Sequence, residues 1–162
     1  MNHSAGIVLW RRGEELEVLL VHPGGPFWAN KDEHAWSIPK GEFDPSDEVA
    51  FDAACREFEE ELGAAPPTGT AVVLEPFRAG RKTLHVWLLE GDFDPATISA
   101  DDRHRSMVEL TWPPRSGRTV TFPEVDRAQW VALSGAGTLL HKGQARIVEL
   151  VADALGFDDP HG

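Results

Sequence analysis

The chain has 162 residues, 41% of them apolar and 26% charged, the balance of one ordinary globular domain with its own core. It carries 15 Lys and Arg against 27 Asp and Glu, a formal net charge of −12, which disfavours duplex nucleic acid and anionic membrane surfaces because both need net cationic contacts. One cysteine, Cys55, excludes an intramolecular disulfide; with no apolar run of membrane-spanning length and no leader-like segment at residues 1–6, the expectation is a cytoplasmic protein, monomeric or homodimeric.

Residues 7–10 form an apolar run. A turn at Arg12-Gly13-Glu14 and a second Leu/Val-rich run at residues 16–21 follow, so the two read as a hairpin or as neighbouring strands. His22-Pro23-Gly24-Gly25-Pro26 breaks regular structure, and the loop beyond it carries Phe27, Trp28 and Lys31. Trp36-Ser37-Ile38 is extended and stops at Pro39, and residues 40–45 read as a loop. Ser46 or Asp47 caps a helix, with Asp47 and Glu48 favourable at its positive end. That helix runs to about Leu62, where Gly63 ends it and Pro66-Pro67 blocks continuation.

Strand-like runs follow at residues 71–74, 84–89 and 108–112, with residues 120–122 as a further strand of the same sheet. Trp130-Val131 is a short strand or loop, and residues 134–140 form a short helix. Residues 144–155 make the clearest second helix, because Ile147, Val148, Val151 and Leu155 recur at spacings of three and four. A single domain is expected over residues 1–157, with 158–162 as a flexible tail. Strands interrupted by helices give an α/β chain with a mixed sheet and helices packed on it.

The chemistry concentrates on the helix segment Arg56-Glu57-Phe58-Glu59-Glu60-Glu61-Leu62-Gly63. At about 100° per residue, Glu60 and Glu61 fall roughly −60° and +40° from Glu57, so three carboxylates crowd one quadrant. Phe51, Cys55, Phe58 and Leu62 form an apolar stripe beside them, and Ala50, Ala53 and Ala54 extend the acidic face with small side chains. Like charges at this spacing destabilise a helix and need compensation. Either the face is solvated, with Arg56 assisting, or hard divalent cations such as Mg²⁺ or Mn²⁺ neutralise it and bridge to phosphates.

The segment from Gly41 to Ala64 resembles the signature of the Nudix hydrolases: Gly, five residues, Glu, seven residues, then Arg-Glu-apolar-x-Glu-Glu-x-Gly-apolar. Glu48 stands seven residues before Arg56, and Glu57, Phe58, Glu60, Glu61, Gly63 and Ala64 hold the remaining positions. Six residues rather than five separate Gly41 from Glu48, an insertion in the loop that leaves the helical spacing intact. The resemblance implies an α/β/α sandwich with a central mixed sheet and a loop–helix–loop catalytic motif. It further implies hydrolysis of a nucleoside diphosphate linked to another group, with Mg²⁺ as cofactor and Mn²⁺ as a substitute. Glu57, Glu60 and Glu61 would be metal ligands or acid/base residues, and Gly41 would offer its carbonyl. Arg56 would anchor a neighbouring acid, and Glu48 would brace the loop or ligate from outside. The alternative is a catalytically idle nucleotide-binding regulator of the same fold.

Beyond the signature, Glu124 and Glu109 are the candidates for a base in a later loop. Lys40, beside the metal loop, is a candidate for contact with a polyphosphate. Arg115 and Arg118, in a basic turn, are candidates for distal phosphates, and Trp28 for stacking on a base. Arg78, Arg81 and Lys82 read as a solvated turn, and Trp36, Trp87 and Trp130 as core. His22, His34, His85, His104 and His141 lack metal-ligand spacing and read as surface or hydrogen-bonded core residues. The substrate class stays open among nucleoside triphosphates, dinucleoside polyphosphates and ADP-ribose. The Trp-x-x-Pro-Lys-Gly lead-in is similar to that of members acting on dinucleoside polyphosphates, but the downstream tyrosine often found with that preference is absent. Pro76, thirteen residues past Gly63, falls short of the spacing that accompanies ADP-ribose preference.

Overall fold

The computed structural model describes residues 2–98 and 105–156. The expected tail at 158–162 and His104 lie outside these residues. The elements begin with β1 (Asn2–Arg12), β2 (Leu16–Pro23), β3 (Lys40–Phe43) and α1 (Ala50–Leu62). Then come β4 (Val72–Val73), β5 (Phe77–Ala79), β6 (Lys82–Glu90), β7 (Met107–Thr111), β8 (Thr119–Pro123), β9 (Val125–Ala132), α2 (Leu133–Leu139) and α3 (Arg146–Leu155). Single 3₁₀ turns occupy Pro95–Thr97 and Lys142–Gln144. Among the described residues no helix is long and apolar enough to cross a membrane.

The main sheet runs β4-β6-β1-β2-β9, with β3 also on β1 and β5 also on β6. It is mixed: β1 and β6 are parallel and the other pairs antiparallel. Both faces of β1 are covered, which is why its run is continuously apolar rather than alternating. Ile7 and Leu9 pack toward α1 with Phe58 and Leu62, whereas Val8 and Trp10 join the core that includes Ile147, Val148 and Val151 of α3. The result is the expected α/β/α sandwich.

Several local expectations change. Residues 40–45 are not all loop, because Lys40–Phe43 pairs with His3–Gly6 as β3. Neither Ser46 nor Asp47 caps α1; the helix begins at Ala50 behind Val49, which makes no side-chain cap bond. Ser46 instead gives its amide and hydroxyl to Asp44 Oδ1, at 2.9 and 2.7 Å, closing a turn before the helix. The far end is as read: Gly63 is left-handed, with φ 79°, and its N–H donates to the Glu59 carbonyl. Residues 120–122 pair with β7 in a separate two-stranded sheet rather than in the main one. Trp130 and Val131 belong to an eight-residue strand along β2, and β5 is an unforeseen strand. On α1, Phe58 and Leu62 are buried, while Phe51 and Cys55 are only half-buried.

The feature that positions the site is a fork. β1 and β2 pair only at Trp10–Arg12 and Leu16–Val18. Beyond that point β2 pairs with β9 while β1 pairs with β3. Residues 36–43 fill the opening: Val21 N–H donates to the Ser37 carbonyl at 2.7 Å, and Ile7 N–H to the Pro39 carbonyl at 3.2 Å. Gln144 ties the same segment from behind, accepting from Ile38 N–H and donating to Ser37 Oγ.

Phe58 is fully buried where α1 meets the sheet. Phe58→Ala is expected to cost about 3–5 kcal/mol, read as a lower midpoint in denaturant unfolding followed by circular dichroism.

Candidate active site

α1 lies on the sheet through an unusual face. Ala53, Ala54, Phe58 and Leu62 are buried, and so are Glu57 and Glu61, at 9% and 6% exposure. The small alanines one turn upstream let the helix approach β3 closely. The Glu57 carboxylate is stacked against Gly41: a Cβ there would sit 2.0 Å from the Glu57 carboxyl carbon and from Oε2. Only glycine fits at position 41 with Glu57 in this place.

Arg56 organises the acids. Its Nε and Nη2 donate to the two oxygens of Glu48, each at 2.9 Å, and Nη1 donates to Glu57 Oε1 at 2.8 Å and to Glu60 at 3.3 Å. This paired-fork geometry fixes both partners. The guanidinium holds Glu48 below the usual carboxylate range, and Glu48 in turn is the main cause of the raised Arg56 pKa.

Burial pushes the Glu57 carboxyl up against the pull of Arg56, with Glu60 and Glu124 adding to the rise. Glu61 is raised further, first by burial and then by the neighbouring Glu124 charge; the Lys40 side chain and backbone N–H oppose this. Its Oε2 atom is buried without a hydrogen-bond partner among the described residues. An orphaned carboxylate oxygen of this kind calls for a proton or a cation.

Glu124 is exposed, yet it is held beside Glu61 by an unforeseen clamp. The buried Arg105 guanidinium donates to the carbonyls of Glu61 and Val125, tying the C-terminal end of α1 to the start of β9. The backbone repeats the tie: Ser106 N–H donates to the Glu60 carbonyl at 2.7 Å, and Glu124 N–H to the Ser106 carbonyl at 2.9 Å. A cation at a helix C-terminus also suits its dipole.

A cavity of about 480 Å³ opens at the fork. Its lining includes Lys40, Glu61, Glu124, Arg81, Lys82, His141 and Trp28. Trp28 is partly buried against the α3-side core, and Lys31 stands over the Phe27 ring beside it. The structure therefore brings Lys40, Gly41, Arg56, Glu57, Glu60, Glu61, Glu124 and Trp28 into one neighbourhood. Arg115 and Arg118 sit in the exposed β7–β8 turn and do not line the cavity; Glu109 is exposed on the same hairpin. Arg81 and Lys82, read as a solvated turn, do line it. The signal for them was present, two cations in tandem within an acidic chain, but their turn is about 20 residues from the signature. Arg105 left no local signal.

The donor set is all oxygen, as a hard divalent cation requires. The orphaned Glu61 oxygen and the Gly41 niche against Glu57 fit such an ion. Among the described residues no three His, Cys, Asp or Glu side chains converge as a finished ligand set, because Glu57 and Glu60 are turned to Arg56. Ligation would draw them away from it.

Comparison with known proteins agrees with the fold. The NUDIX domain matches residues 2–153, and the chain belongs to this family of nucleoside diphosphate-X hydrolases. Among solved structures, the NUDIX domain of Shewanella oneidensis NrtR complexed with ADP ribose is similar, with a TM-score of 0.60 and 16% identity over 94% of this chain and 86% of that one. A C. elegans Ap4A hydrolase binary complex gives 0.60 and 19% over 94% and 98%, and the Nudix hydrolase RenU from M. smegmatis gives 0.57 and 19% over 95% and 85%. At these identities the likeness is one of fold.

The raised Glu61 has a consequence for stability. Between the ordinary carboxylate value of 4.5 and its raised value, the folded state keeps a proton that the unfolded chain has released. The contribution of Glu61 is therefore intact at low pH and is lost as pH rises through that window. Without divalent cations, Glu61→Gln should gain stability relative to the unmodified protein from about pH 5 upward, read by urea unfolding across pH.

Proposed function

We propose that the protein is a divalent-cation-dependent hydrolase that cleaves a phosphoanhydride bond in a nucleoside diphosphate linked to another moiety. Nucleoside triphosphates, dinucleoside polyphosphates and ADP-ribose are its candidate substrate classes, and Mg²⁺, with Mn²⁺ as substitute, its cation. The observation that carries this reading is the pair of buried α1 carboxylates, Glu57 against Gly41 and Glu61 in a cavity also lined by Lys40 and Glu124. Nothing in a purely structural role explains two acids on the buried face of a helix, one with an orphaned oxygen.

Glu57, Glu60 and Glu61, with the Gly41 carbonyl, are the proposed ligands. A divalent ion held there would supply neutralisation of phosphate oxygens and a more acidic water. The remaining work falls to the chain. Arg56 holds Glu57 and Glu60 in reserve and is itself held by Glu48, so the acids turn from a fixed point. Lys40 presents a positive charge to a polyphosphate at the end of the segment that fills the fork. Glu124, exposed beside Glu61, is the proposed acceptor of the water proton. Trp28 offers a ring in the cavity wall for a base.

The test is a chromatographic product screen with Mg²⁺ over nucleoside triphosphates, ADP-ribose and diadenosine polyphosphates. The unmodified protein should turn over at least one class, and Glu61→Gln should lower the rate by about 10²–10⁴-fold while keeping its circular dichroism. Saturable nucleotide binding with no turnover under Mg²⁺ or Mn²⁺ would instead identify the idle regulator.

A further inference from the structure

The cavity is lined by groups of both signs: the acids Glu61 and Glu124, Lys40 beside Glu61, and Arg81 and Lys82 at the β5–β6 turn. In a chain of net charge −12 such a pair is not the default surface. Lys82 is already paired with Glu42, which its hydrogen bond and then its charge hold below the usual carboxylate range. Arg81 is exposed, and among the described residues its side chain makes no hydrogen bond, ion pair or ring contact. The turn is braced from behind by the 3₁₀ turn Lys142–Gln144: a Cβ on Gly143 would lie 3.7 Å from Ala79 C and Gly80 N. That brace brings in His141, whose Nδ1 accepts from Gly143 N–H at 3.2 Å. In the neutral ring its Nε2 is then the donor.

The floor nearby is also unsatisfied. Ser4, 2% exposed, lines the cavity, and its Oγ has no partner among the described residues. It lies opposite Glu42 on β3 and Leu84 on β6, one pleat from Lys82, so it shares a sheet face with the Lys82–Glu42 pair. A paired cation, a second cation, an imidazole and an unmet hydroxyl thus border the same cavity. These donors share the cavity with the acids Glu61 and Glu124, and Lys82 also pairs with Glu42.

We infer that Arg81, with Lys82 and His141 beside it, forms a subsite for an anionic group additional to the diphosphate on which the acids act. Arg81 is thereby a specificity-determining residue that favours substrates with extra phosphate over those with a neutral extension. This rests on the proposed hydrolase reading for the role of the acids. It does not involve Arg115 or Arg118, which lie away from the cavity.

The experiment uses diadenosine diphosphate and diadenosine tetraphosphate, which differ only in the number of phosphates between identical ends. Binding is measured by calorimetry in EDTA, and hydrolysis separately with Mg²⁺. The unmodified protein should bind the tetraphosphate about tenfold or more tightly, the contribution of one to two charge-assisted contacts. Arg81→Gln should erase most of that advantage while changing diphosphate affinity less than about twofold. Arg78→Gln, exposed on the same hairpin but outside the cavity, should keep it. Equal or unmeasurable binding of the two compounds by the unmodified protein overturns the subsite. So does a preference that Arg81→Gln leaves intact, or an equal loss of both affinities. Hydrolysis with an unmoved binding ratio leaves the hydrolase reading standing without the subsite; a ratio that collapses in Arg81→Gln without any hydrolysis does the reverse.

Discussion

Two carboxylates buried against a sheet set the terms for everything around them. A helix packed on a sheet ordinarily presents an apolar face, and α1 does so through Ala53, Ala54, Phe58 and Leu62. Glu57 and Glu61 occupy the same face, so each must be compensated locally. Glu57 has Arg56 on one side and the bare backbone of Gly41 on the other. Glu61 has the Lys40 amide and charge beside it, and its Oε2 has no hydrogen-bond partner among the described residues. The bracing follows from this arrangement: Glu48, just ahead of the helix, fixes Arg56 at its middle, and Arg105 fixes the C-terminus to β9.

The fork explains why the site is where it is. Had β1 and β2 stayed paired along their length, the segment carrying Lys40 and Gly41 could not reach the α1 carboxylates. By parting after Trp10 and Val18 they admit residues 36–43, which hydrogen bond to both strands. The same parting leaves the cavity, so ligand space and acid cluster arise from one topological event. Ligands in mixed sheets commonly bind where neighbouring strands diverge in this way.

Legibility in the sequence followed the range of the interactions. The α1 boundaries at Leu62 and Gly63, the β1–β2 hairpin and the α3 apolar face are local patterns, and they read correctly. The helical spacing of Glu57, Glu60 and Glu61 was equally plain, but their burial was not, because periodicity alone makes an acidic face look solvated. Lys40–Phe43 looked like a loop since Gly41 and Glu42 have little strand preference; pairing with β1 overrode that. The Ser46 cap failed because Asp44 captured the serine first. Arg105 and Arg81 act across about 20 or more residues of chain, through a carbonyl clamp and a cavity wall, and no short window displays either. The placement of Arg115 and Arg118 away from the cavity likewise depends on the β7–β8 pair forming its own sheet.

The central claim is that Glu57 and Glu61 are buried in order to hold a divalent cation beside Gly41. The most direct measurement is Mn²⁺ binding by electron paramagnetic resonance, without nucleotide, on the unmodified protein and on Gly41→Ala and Glu61→Gln. The unmodified protein should bind Mn²⁺ saturably, and both variants should weaken it by about tenfold or more, one by displacing Glu57 and the other by removing a charged ligand. Mn²⁺ affinity that is the same in all three proteins would contradict the assignment and leave the buried acids unexplained.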